Sequence, residues 1–303
     1  MRFAVVLSLA IFEDQIFGDP KNFPHPVRLV GLVVNFWNKI FFVDEKSFFR
    51  GLAVCVLTLS TTGLFVWALL FATGNNFFVK AYLLYSALAW RDLKDETAPI
   101  FFSLAHNKLD EARKFLSFVV GRDTDNLNET EISRAAVETV AENSIDGIIS
   151  VIFFAALGHI VNQEIIFVWL FKAASTLDSM IGYESFGNFG KASARLDDAL
   201  NFVPARLGGF IIAMTGKNAL RVFLRDRLKH KSPNSAHGES AFAGVLGIRL
   251  GGGAFYGGVF EPRPFINSQG REPEYLDIVR AWRVLDVSCA LSALIMAALV
   301  WKF

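Results

Sequence analysis

The fold class predicted by this sequence is all-α: a polytopic integral membrane protein with about 5–6 membrane segments plus cytoplasmic helices and loops. Three observations carry that prediction. Of 303 residues, 53% are hydrophobic, and the mean hydropathy is +0.39, too apolar for disorder and high for a soluble enzyme. Uncharged apolar runs recur along the chain, Gly51 to Ala72 reaching the length of a full crossing and the arms within 147–174 falling short of it. The polar stretches between them hold nearly all the Lys and Arg, which is the positive-inside pattern. The lipid bilayer is therefore an expected partner. Thirty Lys plus Arg against 29 Asp plus Glu leave a formal charge of +1, so no field exists that would gather nucleic acid. Cys55 and Cys289 lie inside apolar runs and read as small hydrophobes. With no internal repeat or low-complexity tract, residues 1–303 read as a single membrane-embedded domain.

Met1 to Phe12 places one basic residue before an apolar run, and Glu13-Asp14-Gln15 follows where a cleavable signal would have small residues. An uncleaved first membrane segment is expected. Phe17-Gly18-Asp19-Pro20 and Phe23-Pro24-His25-Pro26-Val27 form a stiff loop presenting Asp19 and His25, because their prolines forbid regular helix. Gly51 to Val79 carries no charge, and Gly51 to Ala72 alone meets the roughly 20 residues of a crossing. Thr73-Gly74-Asn75-Asn76 is a turn signal. Phe77 to Trp90 is the returning arm, with Lys80 snorkelling from a helix end.

Arg91 to Glu131 mixes charges of both signs and breaks at Gly121-Arg122-Asp123-Thr124, so it reads as water-exposed. Asn128-Glu129-Thr130-Glu131 supplies capping residues for a new helix. Arg134, Glu138, Glu142 and Asp146 follow at intervals of four, so one helix would carry them on one stripe. Residues 147 to 174 are apolar around Glu164 and form either a tight hairpin or a partly re-entrant pair. Leu207 to Gly216 is a short apolar piece, buried or re-entrant. Residues 217 to 283 are polar and turn-rich, and Val287 to Trp301 reads as a C-terminal membrane helix. Crossings at 1–17, 51–73, 77–90, 147–162, 165–174 and 285–303 put every candidate motif on the cytoplasmic side of the membrane.

After the apolar excursion, polarity returns with Asp178, then Arg195-Leu196-Asp197-Asp198, Asn201 and Pro204-Ala205-Arg206. Two acidic clusters thus flank one hydrophobic segment that leaves and comes back. Carboxylates beside Asn and Arg, without His/Cys spacing for zinc, suit oxygen ligation of Mg²⁺ and neutralisation of phosphate. Phosphoryl or pyrophosphoryl chemistry is the natural class. Candidate catalytic residues are Glu142, Asp146, Asp178 and Asp198, and candidate metal ligands are Asp146, Asp197 and Asp198. Arg122, Asn143, Arg206, Ser232, Asn234, Gly251 and Gly252 are candidates for substrate or phosphate binding, the glycines through exposed backbone N–H groups. Asp19, His25 and Asn201 complete the set. The competing structural readings are ion pairs: Arg134 with Glu138 along a solvated helix, Asp178 with Lys172, and Arg195 with Asp198. No Walker A sequence or dinucleotide fingerprint is present.

Taken together, these pieces resemble the cobinamide synthase family, also called CobD/CbiB or adenosylcobinamide-phosphate synthase, of cobalamin biosynthesis. The matching residues are Gly18-Asp19-Pro20 with His25-Pro26-Val27, Gly121-Arg122-Asp123-Thr124, and Glu138-Thr139-Val140-Ala141-Glu142-Asn143 with Asp146-Gly147. They continue through Leu177-Asp178-Ser179-Met180-Ile181-Gly182-Tyr183, Arg195-Leu196-Asp197-Asp198, Asn201, Pro204-Ala205-Arg206, Ser232-Pro233-Asn234 and Leu250-Gly251-Gly252. Val151 and Ala236-His237-Gly238 depart from the family pattern. The resemblance implies a multi-pass inner-membrane enzyme that joins (R)-1-amino-2-propanol, or its O-phosphate, to a propionate carboxylate of adenosylcobyric acid. It implies ATP and Mg²⁺, and as partners the corrinoid, the amine, and other membrane enzymes of cobalamin assembly or a second copy of the chain. Two alternatives compete with it. Asn143-x-x-Asp146 with Asp197-Asp198 loosely resembles the aspartate motifs of intramembrane Mg²⁺-dependent prenyltransferases, and a non-catalytic membrane sensor or transport component would use the same scaffold.

Overall fold

The computed structural model describes residues 2–19, 25–44 and 46–302. Pro20, Phe23 and Pro24 of the expected stiff loop lie outside the described residues. Helix accounts for 73% of the described residues, in agreement with a helical class. In chain order the helices are α1 (Arg2–Phe17), α2 (Pro26–Phe41), α3 (Phe48–Ala72), α4 (Phe77–Tyr85), α5 (Trp90–Ala105), α6 (Leu109–Leu116) and α7 (Glu129–Ser144). A π-helical turn (Ile145–Ile149) leads into α8 (Ser150–Ile160), followed by α9 (Glu164–Ile181) and α10 (Gly187–Met214). Then come α11 (Ala219–Asp226), α12 (Ser235–Leu246), four short strands β1 (Leu250–Gly251), β2 (Ala254–Tyr256), β3 (Val259–Glu261) and β4 (Phe265–Ile266), and α13 (Leu276–Leu299).

Local sequence sets several of these boundaries. Pro26 starts α2, where its missing N–H is no loss. The Asn76 side chain accepts from Phe78 N–H at 2.9 Å and opens α4. Asn128 and Glu131 form a reciprocal capping box at the start of α7. Two sequence expectations change. Arg134, Glu138 and Glu142 share α7, but Asp146 falls in the π turn, whose i→i+5 bonding widens the helix and takes Asp146 off the four-residue stripe. Leu207 to Met214 is the end of the 28-residue α10 and not a separate piece, because the helix continues through Pro204 at the loss of one backbone hydrogen bond.

Read as one domain, the chain divides into two compact units. The first comprises residues 1–89, 150–201 and 293–303. Within it α9 packs against α2, α3, α4 and α8, and α1 packs on α4. Lys80 and Glu164 pair at 2.9 Å, joining α4 to α9.

The second unit comprises residues 90–149 and 202–292. Here α7 packs against α5, α6 and α12, and α11 against α12. Trp282 donates to Thr97 at 2.8 Å, and Trp90 and Lys94 both donate to Asp286, at 2.7 and 2.8 Å, fastening α5 to α13. Strand β1 pairs antiparallel with β4, and β2 with β3. Gly257 and Gly258 make the β2–β3 turn at φ 56° and 80°, a conformation glycine adopts without a Cβ clash. Their amides donate to the Asp123 carboxylate at 3.0 and 2.7 Å.

Three helical stretches among the described residues are long and apolar enough to cross a membrane: Phe48–Ala72, Glu129–Ile160 and Leu276–Leu299. The first and third leave most of that apolar length uncovered by protein, and the second is mostly packed. The expected crossings at 1–17, 77–90 and 165–174 fall on helices of 16, 9 and 18 residues.

His237 makes one consequence of this packing measurable. The ring is fully buried in α12 against Phe223, both of its nitrogens lacking hydrogen-bond partners among the described residues. Burial, with Arg206 and Arg227 nearby, lowers its pKa from 6.5 to about 4. Its folded pKa lies below the unfolded one, so the unfolded chain takes up the extra proton. Stability from the neutral ring is present above about pH 6.5 and lost as pH falls toward about 4. His237→Gln should flatten that part of the stability–pH curve in detergent, whereas wild-type and variant curves that run parallel would contradict the assignment.

Candidate functional site

A carboxylate in the middle of a buried helix needs a counter-charge and hydrogen bonds. Glu138, 6% exposed among the alanines and valines of α7, has both. Its Oε2 meets the Arg122 guanidinium at 2.8 Å, and its Oε1 accepts the Gly251 amide at 2.7 Å. Burial works against the Arg122 charge, but the Glu138 carboxylate and its hydrogen bond outweigh it, so the arginine pKa stays above its usual value. The competing reading, an Arg134–Glu138 pair along the helix, is not what forms. Arg134 turns to Glu272 at 3.0 Å and to the Gly251 carbonyl.

A second glutamate shares this interior. In α12, Gly238 passes so close to α7 that a Cβ there would lie 2.5 Å from the Ala141 carbonyl oxygen. The contact brings Glu239, 4% exposed, into a small cavity lined also by Arg122, Glu138, His230, Gly251, Gly253 and Arg263. Burial, reinforced by the charges of Glu138 and Glu142, raises the Glu239 carboxyl well above the ordinary range, although Arg122 and Arg263 pull the other way. Burial, with Arg263, lowers the His230 imidazole. His230 Nδ1 stands 3.5 Å from Glu239 Oε1. These opposite shifts favour a neutral acid and a neutral imidazole in one cavity, groups of the kind that handle protons.

Of the sequence candidates, Arg122 and Gly251 belong to this cavity, and the Gly251 amide, expected to cradle a ligand anion, is taken by Glu138. Glu142 and Asn143 are exposed on α7, the Asn143 amide donating to Thr139 O at 3.0 Å. Gly252 lies in the same left-handed glycine run as Gly251.

Arg206, Ser232 and Asn234 come together at a second place in the same unit. Arg206 lies 3.4 Å over the Phe202 ring, donates to the Phe202 carbonyl at 2.6 Å and reaches Asn234 Oδ1 at 3.4 Å. The Asn234 amide in turn donates to Ser232 Oγ. Burial and the nearby positive charge of Arg227, which the sequence reading left out of the site, lower the Arg206 pKa. Two guanidiniums beside an amide and a hydroxyl make a plausible anion seat.

The aspartate candidates other than Asp146 belong to the first unit. Ser150 donates to Asn201 Oδ1 at 2.7 Å, and Asn201 Nδ2 donates to Asp197 at 3.1 Å. Burial and the Asp198 charge raise the Asp178 pKa. Arg195 lies over the Phe48 ring at 5.9 Å. His25 Nε2 is 3.3 Å from Asp19 Oδ1. Among the described residues no group of three or more His, Cys, Asp and Glu side chains converges in a ready-made metal site. Mg²⁺ does not require one, since one or two carboxylates with phosphate oxygens and water suffice.

Sequence reasoning missed His230, Glu239 and Arg263 as site residues. Glu239 carried a usable signal, as the lone carboxylate in a helix of Ala, Gly, Ser and Phe whose small residues call for close packing. His230 and Arg263 carried none, the first being hidden in a basic run.

The family description "CobD/Cbib protein" matches residues 7–285. The chain is similar to a cobalamin biosynthesis protein CobD of Pelobacter propionicus, 39% identical over 97% of this chain and 95% of that relative. It is similar also to the CobD protein of Clostridium perfringens, 39% identical over 90% of each chain. To the cobalamin biosynthesis protein CbiB of Salmonella typhimurium it is 37% identical over 94% of each. No solved structure matches it. A family match across nearly the whole length, with relatives 39% identical, places this chain in the CobD/CbiB family.

Proposed function

We propose that this chain acts in cobalamin biosynthesis as the enzyme that joins (R)-1-amino-2-propanol, or its O-phosphate, to a propionate carboxylate of adenosylcobyric acid, with ATP as cosubstrate. The observation that carries the reading is the near full-length similarity to relatives named for cobalamin biosynthesis. A free carboxylate does not react with an amine at useful rates, so it must first be activated. ATP provides for this by phosphorylating the propionate oxygen. The amine nitrogen then bonds to the carbonyl carbon, and phosphate leaves with the electron pair of the broken C–O bond.

The site residues divide this work. Arg206, with Arg227, Asn234 and Ser232, would bind the phosphate of the phosphorylated amine. The Arg122–Glu138 pair would hold the wall of the cavity that contains Glu239. Asp197 and Asp198 would hold Mg²⁺ near Asp178, whose raised pKa reflects burial and the neighbouring Asp198 charge, while Asp146, in the other unit, is a separate candidate. Bound there, Mg²⁺ would offset the charge of the ATP phosphates. The chain would span an inner membrane through the six segments at 1–17, 51–73, 77–90, 147–162, 165–174 and 285–303, with residues 91–146 and 217–284 facing the cytoplasm.

Three measurements test this. Purified protein incubated with adenosylcobyric acid, ATP, Mg²⁺ and either amine should yield the amide by mass spectrometry, and Asp146→Asn and Asp198→Asn should abolish turnover with little loss of detergent stability. A variant that turns over like wild type removes its carboxylate from the chemistry. Arg206→Lys should cut kcat/KM for the phosphorylated amine by about 1.5–3 kcal/mol more than for free aminopropanol, and an unchanged ratio removes Arg206 from phosphate binding. Cysteines introduced at Asn107 and Gln269, both on exposed turns, should react with an impermeant reagent only after lysis, against a low background because Cys55 and Cys289 are buried. Labelling from outside intact cells would reverse the topology.

A further inference from the structure

Two polar atoms at the glutamate cavity are buried without a hydrogen-bond partner among the described residues: Glu239 Oε2 and His230 Nε2. Other buried carboxylates in this unit are held. Asp226 takes Arg225 and Lys229, each at 2.8 Å, and the Asn267 amide at 2.7 Å. Asp277 takes Arg271 and the Glu274 amide. A buried polar atom left unsatisfied is destabilising, so two of them at one cavity call for a group that enters it. The cavity measures about 10 Å³, room for one water-sized group. That fits an amine nitrogen with its hydrogens and excludes the edge of a corrin ring.

We propose that His230, oriented by Glu239, is the general base that takes a proton from the substrate amine. The proposal rests on the amide-forming reading above and adds a residue and a step to it. With its ring proton on Nδ1, toward Glu239 Oε1 at 3.5 Å and Ser235 Oγ at 3.3 Å, His230 keeps the Nε2 lone pair for the ligand. The substrate ammonium gives one proton to Nε2 and becomes a nucleophile. Its nitrogen then bonds the carbonyl carbon of the acyl phosphate made from ATP, the C–O bond breaks with its electron pair, and the second proton leaves on the phosphate.

The surroundings agree with these roles. Glu138 and Glu142 act on Glu239 from α7, Arg122 acts from the loop before it, and Arg263 acts on both members of the pair from the segment between β3 and β4. Of the charged residues of α11, Arg225 and Asp226 hold each other, and Arg221 lies one turn before them. Strands β1 and β4 bring no charge. Burial and Arg263 favour the neutral His230 ring, which is the form able to accept a proton, while burial beside two glutamates raises the Glu239 carboxyl, its Oε1 facing the imidazole. His230 also starts the short segment that holds Ser232 and Asn234, so one piece of chain would serve both ends of a phosphorylated aminoalcohol.

The test compares two nucleophiles on the full-length enzyme in detergent with adenosylcobyric acid, ATP and Mg²⁺. Aminopropanol arrives as an ammonium ion, whereas hydroxylamine is unprotonated at neutral pH and needs no base to become a nucleophile. His230→Gln should lower kcat/KM for aminopropanol by roughly 10²–10⁴-fold and that for hydroxylamine far less, with Glu239→Gln showing the same selectivity at a smaller loss. A His230→Gln enzyme that melts like wild type and loses equally with both nucleophiles, or loses nothing, overturns the proposal. Should that variant fail to fold, the same ratio measured on Glu239→Gln decides, equal losses again being fatal. Wild-type enzyme that forms no amide with aminopropanol or its phosphate is a separate result, and it removes the amide-forming reading itself.

Discussion

One buried ion pair ties together distant segments of the unit formed by residues 90–149 and 202–292. Glu138 sits inside a helix whose neighbours are almost all apolar, and its charge is tolerable there only because Arg122 and the Gly251 amide meet both carboxylate oxygens. Those two partners come from opposite sides of α7 in sequence, so satisfying one side chain fixes the loop before the helix and the glycine run more than a hundred residues later. The next residue, Asp123, takes both amides of the β2–β3 turn and donates its own amide to Phe255 O at 2.8 Å. Arg134, one turn before Glu138, binds the Gly251 carbonyl and Glu272. The cavity next to Glu138 is therefore assembled by the same contacts that neutralise it.

Packing without charge completes the arrangement. Gly238 lets α12 approach α7 at a distance that no side chain permits, and Glu239 enters the cavity as a result. Burial, with Glu138 and Glu142 nearby, raises the proton affinity of Glu239, while the histidine beside it is pushed the other way by burial and Arg263. The proposed amide synthesis has use for such a pair, because it must handle the proton of an amine away from bulk water. The separate cluster of Arg206, Arg227, Ser232 and Asn234 has the donors for a phosphate, which is the other distinctive group of the proposed substrates.

Much of this was legible in the sequence where the signal was local. The Asn128 capping residues marked the start of α7, the break at 121–124 lies where the chain turns, and the uncharged runs 51–72 and 287–301 fall in the apolar helix α3 and, but for the last two residues, in α13. Arg122, Glu138, Gly251, Arg206, Ser232 and Asn234 could all be picked out as chemically distinctive. What could not be read was the pairing. Glu138 looked like the partner of Arg134 because both lie on one helix at a spacing of four, but a buried carboxylate favours the partner that also satisfies its second oxygen, and that one comes from outside the helix. The π turn at 145–149 has no sequence signature, since an apolar segment admits either hydrogen-bond register. The role of Glu239 depends on a tertiary contact made through Gly238, which only folding reveals.

The central claim is that Arg122 and Glu138 act as one buried unit that holds this site together. A double-mutant cycle on unfolding free energy in mixed detergent micelles tests it with Arg122→Met, Glu138→Leu and the combination. Removing either partner alone strands a buried charge and should cost roughly 3–5 kcal/mol, while the double variant, with no charge left to strand, should be less destabilised than the two single losses added together. Small single losses that simply add would show that the pair is two independent side chains, and would contradict the account.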